Sequence, residues 1–247
     1  MPLLDSEAVI LRARPFGEAD KWISFFSRRL GRLRGIAPNA RRSRRRFGAA
    51  LEPLSHVRLW FFDREGQELV RLSESELIAA YWDARGDYER TLALNQIAEL
   101  AELMLPEREA SDRAFRLLLT TLESLKQSES VWLPLTYFQL WMVRLAGWLP
   151  ALDSCFRCHK AFDDGPLYAS PVSGRVACKR CRQPGMRLLG PPARRAALQM
   201  LAEPLSHVSP EGWDRARAAE LQNYLLDSIE AHSEHKLVTR ELLHESA

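Results

Sequence analysis

Ser55–Phe62 reads SHVRLWFF. Val57, Leu59 and Phe61 alternate with Arg58, Trp60 and Phe62, the period-2 pattern of a strand that turns one face to a core and the other away from it. The turn segment DREGQE follows and leads into Leu69–Leu72, so these two runs read as consecutive strands. Toward the N-terminus, Ser6–Arg14 (SEAVILRAR) holds a β-branched apolar run, Lys21–Ser27 reads KWISFFS, and Leu30–Ala37 contains LRGIA in a Gly-punctuated stretch. Gly17, Gly31 and Gly66 stand where turns are needed. Five short strands with a longer connection after the third fit a barrel of the OB type over residues 1–80, and other small barrels fit the same pattern.

The period changes after Asp87. Leu92, Ile97, Leu100, Leu103 and Met104 recur at helical spacing, and Pro106 ends that helix. Ser111 is placed to cap a second helix with the stripe Phe115, Leu118, Leu119, Leu122 and Leu125. A third runs from about Pro134 to Gly147. It is apolar on nearly every side, as the central helix of a bundle would be. Pro134, Gln139 and Arg144 interrupt Val131–Pro150, so this stretch reads as a buried helix rather than a membrane span. Helical patterning returns at Ala193–Leu201, Trp213–Ile229 and Lys236–His244. The expectation is an α+β chain: an N-terminal OB-type β-barrel (1–80), then a helical bundle domain (81–150 and 191–247) with an inserted cysteine module (151–190).

All four cysteines fall in that module with the spacing C-x2-C-x19-C-x2-C: Cys155, Cys158, Cys178 and Cys181. Each C-x2-C pair can form a knuckle presenting two thiolates to one ion, and two knuckles complete a tetrahedral sulfur shell. Four thiolates leave no open position, so one structural Zn2+ is expected rather than a catalytic one. The segment is too short and polar to fold on its own core, so metal binding would supply its folding energy. A thioredoxin-like context for a redox pair is missing, and so is the H-x-E of a zinc deaminase. His159, beside Cys158, reads as an exposed loop histidine.

Net charge is only +3, but its distribution is uneven. Residues 1–80 hold 15 basic and 10 acidic side chains, and 148–190 hold 7 and 3; the segments between and after are net acidic. From Arg28 to Arg46 there are nine arginines and no acid: Arg28, Arg29, Arg32, Arg34, Arg41, Arg42, Arg44, Arg45 and Arg46. Such a surface gains affinity for nucleic acid by counterion release, and arginine both grips phosphate bidentately and stacks on bases. The bland alternative is a solvated loop at Asn39–Arg46. Trp22, Phe25, Phe26, Trp60 and Phe62 are candidate stacking rings, with core packing the better reading for most. Trp60 and Phe62 share a strand face with Arg58, which makes them the best stacking candidates, although that face could equally pack on the helices.

No P-loop, G-x-S-x-G, G-x-G-x-x-G or D-x-D pair occurs, and the six histidines are scattered. The sequence therefore offers no positive reason to expect an enzyme. The N-terminus MPLLDSEAVILRAR has no basic start followed by an apolar run, so a cytoplasmic protein with reduced thiols is expected.

Two stretches carry a family resemblance. EAVILRARPFGEAD followed by LGRLRGIAPNARRSRRR, and YFQLWMVRLAGWLPALDSCFRCHK with its G-aromatic-x-P exit and first cysteine pair, resemble the bacterial recombination mediator RecO family across essentially the whole chain. The resemblance implies an OB barrel, a helical domain and a zinc module. It also implies nucleoid-associated binding of single- and double-stranded DNA and annealing of complementary strands. The implied partners are RecR and the acidic C-terminal tail of single-stranded DNA-binding protein, which together assist RecA loading. For that tail, Arg144 is the candidate carboxylate partner; its alternative is to cap the helix C-terminus or to pair with a bundle carboxylate. The competing functional classes are an RNA-binding or ribosome-associated OB/zinc-ribbon factor and a nucleic-acid-modifying enzyme. The enzyme would need a carboxylate cluster or open metal site that the sequence does not display.

Overall fold

The structure is a computed structural model that describes residues 2–43, 45–64, 66–81, 87–163 and 165–245. Five strands come first: β1 Leu3–Phe16, β2 Asp20–Ser27, β3 Gly31–Ala37, β4 Ser55–Phe62 and β5 Leu69–Ala80. They close a barrel in the order β1-β2-β3-β5-β4, with β4 returning to β1 and β3 parallel to β5, the connectivity of the OB type. Alternation places Ile10, Ile23, Phe25, Val57, Leu59, Phe61, Val70 and Leu72 inside. Phe25 and Phe61 meet edge to face at 5.6 Å, an arrangement that adds about 0.5–1.5 kcal/mol to the area buried. The long β3–β4 connection is not a bare loop, because it plugs the barrel with Phe47, Ala50 and Leu51. β5 runs well past the Leu69–Leu72 expected from its apolar residues. The polar continuation SESELIAA pairs with β4 through two bulges.

Two helices follow, α1 Tyr88–Met104 and α2 Asp112–Gln127. Asp87 caps α1 by accepting from the Arg90 N–H, and Ser111 accepts from the Ala114 N–H at the start of α2. They cover part of the barrel's outer surface. Ser24 Oγ donates to Glu102 at 2.5 Å, and Phe26 meets Phe115 with ring centroids 6.0 Å apart. The α1–α2 link runs alongside β3. Arg32 N–H donates to Pro106 O and Arg108 N–H to Arg32 O. This close approach requires Gly31, at φ +75°, since a Cβ there would overlap the backbone of Glu109.

The chain divides into two compact units, one ending at Lys126 and the other spanning Gln127–Glu245. In this division α1 and nearly all of α2 fall in the unit of the barrel. The second unit holds α3 Trp132–Leu145, β6 Leu167–Ala169, β7 Val176–Ala177, β8 Arg187–Leu189, α4 Pro191–Ala202, α5 Arg215–Ser233 and α6 Val238–Glu245. α3 is buried along most of its length. Two of its polar groups bond to neighbouring helices: Gln222 donates to Thr136 Oγ1 and Trp141 Nε1 to Met200 O. β6 is the centre of a small sheet ordered β7-β6-β8. No helix among the described residues is long and apolar enough to cross a membrane.

Candidate nucleic-acid face and cysteine cluster

Cross-strand register decides which side chains share the outside of the barrel. Arg14 faces Trp22, Trp22 faces Ile36, and Ile36 faces Arg71, a row across β1, β2, β3 and β5. The next row runs Arg12, Ser24, Arg34 and Leu69. A bulge between Ile10 and Arg12 sets Arg12 and Arg14 on this outer side. The guanidinium of Arg14 lies 4.3 Å over the half-buried indole of Trp22. Together with Arg34, Glu68, Leu69 and Glu107 they line a cleft of about 430 Å³. Arg12, Arg14 and Arg71 are exposed and make no ion pair among the described residues.

The arginine run does not map onto one patch. Arg28 and Arg29 lie at the β2–β3 turn, at one end of β3, while Arg41, Arg42, Arg45 and Arg46 leave its other end. Arg44 lies outside the described residues. Arg28 is bonded to Asp112 at 2.8 Å and Glu7 at 3.4 Å, and both carboxylates raise its pKa, Asp112 more strongly. Arg32 is buried at 8% exposure; it donates to Leu105 O and pairs with Glu102 and Glu107. Glu107 also holds Arg34 at 2.8 Å. Arg41 donates to Glu18 O beside the β1–β2 turn, and Arg46 donates to Pro38 O while covering the Phe47 ring. Arg29, Arg42 and Arg45 are exposed without ion pairs among the described residues.

Arg58 and Trp60 stand on a different outer face. Asp5 and Glu74 flank Trp60, and Glu7 and Glu76 flank Arg58, in the adjoining strands. Arg58 is bonded to Asp5 at 2.7 Å and lies over Trp60 at 5.6 Å. This face carries four carboxylates around one guanidinium, whereas the Trp22 face is cationic. Both rings belong to strands with similar composition; the alternation of Arg12 and Arg14 was the signal in sequence for the cationic side.

In the second unit, the Sγ atoms of Cys155, Cys158, Cys178 and Cys181 all lie within 4.8 Å of one another, and no cysteine is in a disulfide. The two knuckles close through backbone bonds: His159 N–H to Cys155 O and Cys181 N–H to Cys178 O. Phe156 N–H donates to Val176 O, tying the first knuckle to β7. His159 takes φ 56° in the first turn and is exposed, outside the sulfur group.

The thiols alone form an unbalanced group. Burial opposes ionisation of Cys155, but the N–H groups of Cys158, Cys178 and Arg157 outweigh it and lower its pKa to about 6. Burial and the sulfurs of Cys178, Cys158 and Cys155 push Cys181 up to about 12. Four thiolates can coexist here only around a cation. A tetrahedral ion with metal–sulfur bonds of about 2.3 Å has sulfur–sulfur edges of about 3.8 Å; Cys158 and Cys178 stand 3.8 Å apart. The cluster therefore fits zinc binding.

Arg144 is exposed in the last turn of α3 and makes no ion pair among the described residues.

Comparison with known proteins agrees with this geometry. The family description "Recombination protein O N terminal" matches residues 1–81, and "Recombination protein O C terminal" matches residues 85–241. A protein named DNA repair protein RecO from Koribacter versatilis is 44% identical over 241 residues, 98% of each chain. Proteins of the same name from Symbiobacterium thermophilum and Anaeromyxobacter sp. (strain K) are each 30% identical; they align with 98% and 96% of this chain and 97% and 94% of their own. With both halves matched and such relatives along nearly the full length, the chain belongs to the RecO family of DNA repair proteins.

Proposed function

We propose that this chain is a non-enzymatic mediator of recombinational repair in the cytoplasm, associated with the nucleoid. It binds single- and double-stranded DNA, anneals complementary strands and, with RecR, assists RecA loading on DNA coated by single-stranded DNA-binding protein. The observation that carries the reading is the outer row Arg14–Trp22–Ile36–Arg71 with Arg12 beside it. Phosphates meet unpaired guanidinium groups there, and a base has a ring on which to stack. Arg41, Arg42 and Arg45, which follow Ile36 by five, six and nine residues, extend the cationic face. Cys155, Cys158, Cys178 and Cys181 hold one structural zinc ion, whose role is to fold the module. The acidic tail of single-stranded DNA-binding protein places its carboxylates against Arg144.

The test is a salt titration of binding to single-stranded DNA, duplex DNA and single-stranded RNA, with a strand-annealing assay on the same protein. Arg12→Ala with Arg14→Ala should weaken binding and lower the salt slope by about 0.7 for each single-strand phosphate that is no longer neutralised. Equal slope and affinity in parent and variant would sink the assignment of this face. Preference for RNA would favour the RNA-binding alternative. A tail peptide that binds parent and Arg144→Ala equally would remove Arg144 from the partner site.

A further inference from the structure

The positive segment 148–190 is not used by the barrel face, and it lies in the other compact unit. Its cations are arranged around the sulfur cluster. Arg157 and Lys160 belong to the first knuckle, Lys179 and Arg180 to the second, and all four are exposed. Because the knuckles meet at sulfurs no more than 4.8 Å apart, these four exposed residues lie close to one point in the chain's fold. Arg175 lies over Phe156 at 5.4 Å, and Arg182 lies over Tyr168 at 5.2 Å. The two rings are half-buried and flank β7, Phe156 through its bond to Val176 O and Tyr168 through its pairing with Ala177. None of the six cations makes an ion pair among the described residues. By contrast, Arg187 in the same module is bonded to Asp227 at 2.6 Å.

We infer that the rim of the cysteine module is a second binding surface for single-stranded nucleic acid, separate from the barrel face. The inference rests on the reading of the chain as a nucleic-acid binder, but not on the barrel residues. A divalent ion held by four thiolates has a net charge of −2, and two of the cations offset it. The remainder are available to phosphates, where they displace condensed counterions. The Arg175–Phe156 and Arg182–Tyr168 pairs alternate cation and ring, which suits a flexible strand whose bases can turn outward to stack. A duplex keeps its bases stacked inside and would meet only the charges. A chain with one such surface on each compact unit can hold two strands at once, which a strand-annealing protein requires.

The test uses the full metal-loaded chain and a fluorescent oligothymidine, with anisotropy followed over a range of salt. One variant carries Lys179→Gln and Arg180→Gln; a second, on the other knuckle, carries Arg157→Gln and Lys160→Gln. Metal content is measured on each sample. With metal retained, each pair should weaken binding roughly tenfold at moderate salt and lower the salt slope by about 1.4, the amount for two phosphates of a single strand. Unchanged affinity and slope in both variants, with metal retained, overturns the inference. So does a loss of binding confined to samples that have lost metal, since the cations would then serve only the thiolates. Arg12→Ala with Arg14→Ala separates the two surfaces. If only the barrel variant loses binding, the module surface is wrong and the barrel stands; if only the module variants do, the reverse holds.

Discussion

The sulfur atoms of Cys158 and Cys178 stand 3.8 Å apart, on knuckles separated by 19 residues of sequence. That is nearly twice the length of a disulfide bond, which is about 2.05 Å, and it matches the edge of a tetrahedral sulfur site. Elemental analysis of the purified protein should give about one zinc per chain. Cys155→Ser with Cys158→Ser should release it and expose the amides of residues 149–189 to rapid hydrogen exchange, while protection in the barrel persists. Metal-free protein with those amides still protected would show that the module folds on other terms.

Trp22 and Trp60 make a matched pair for locating the strand-binding face. Both are half-buried on outer strand surfaces with an arginine over the ring. They differ in neighbours, since Trp60 lies between Asp5 and Glu74 and Trp22 between Arg14 and Ile36. Carboxylates repel phosphate, so Trp22→Ala should cost about 1–3 kcal/mol in single-strand binding, the stacking contribution of one base. Trp60→Ala should cost much less. Isothermal titration with a short oligonucleotide measures both, and a larger loss at Trp60 would move the face to β4.

Arg32 and Gly31 join the barrel to α1 and α2. The guanidinium of Arg32, 8% exposed, bonds Leu105 O, Glu102 and Glu107. Arg32→Ala leaves the Glu102 carboxylate without its cation at a largely buried site, a change that typically costs 3–5 kcal/mol and here about 3, because Glu102 keeps some exposure. Gly31→Ala adds both a backbone penalty at positive φ and a clash with Glu109 backbone. Both variants should lower the urea midpoint while a five-stranded barrel signature persists in far-UV spectra. A midpoint equal to the parent's would mean that the link does not bear on the barrel.

The barrel was legible from SHVRLWFF and its neighbours because one-sided burial imposes alternation, and β4 spans the Ser55–Phe62 expected. The cysteine cluster was legible because ligand spacing survives in the linear sequence. The grouping of α1 and α2 with the barrel was not. It depends on Gly31 meeting Glu109 and Phe26 meeting Phe115, contacts between residues about 80 positions apart that leave no local pattern. The same holds for the arginines. Nine within nineteen residues look like one patch, yet strand direction sends Arg29 and Arg42 to opposite ends of β3, and the α1–α2 link covers Arg32. Charge counts cannot show which guanidinium groups already have carboxylate partners.

His56 gives the last expectation, on pH. Its ring packs edge-on to Phe115 at 6.0 Å. Burial lowers its pKa below the ordinary 6.5, Arg28 acts in the same direction, and Glu7, 3.4 Å from Nε2, opposes them without prevailing. The unfolded chain therefore takes up a proton near pH 6.5 that the folded chain does not accept until lower pH. In the window below 6.5, the unfolded state binds more protons, so stability falls as pH falls. Above 6.5 the imidazole is neutral in both states and contributes no slope. His56→Gln removes this titration while keeping a polar side chain of similar size. Urea unfolding of parent and variant at intervals from about pH 7.5 to about pH 5.5 should show the stability difference moving in the variant's favour as the pH drops. A difference that stays constant across that range would mean that His56 titrates alike in both states, and that burial against Phe115 does not hold it neutral.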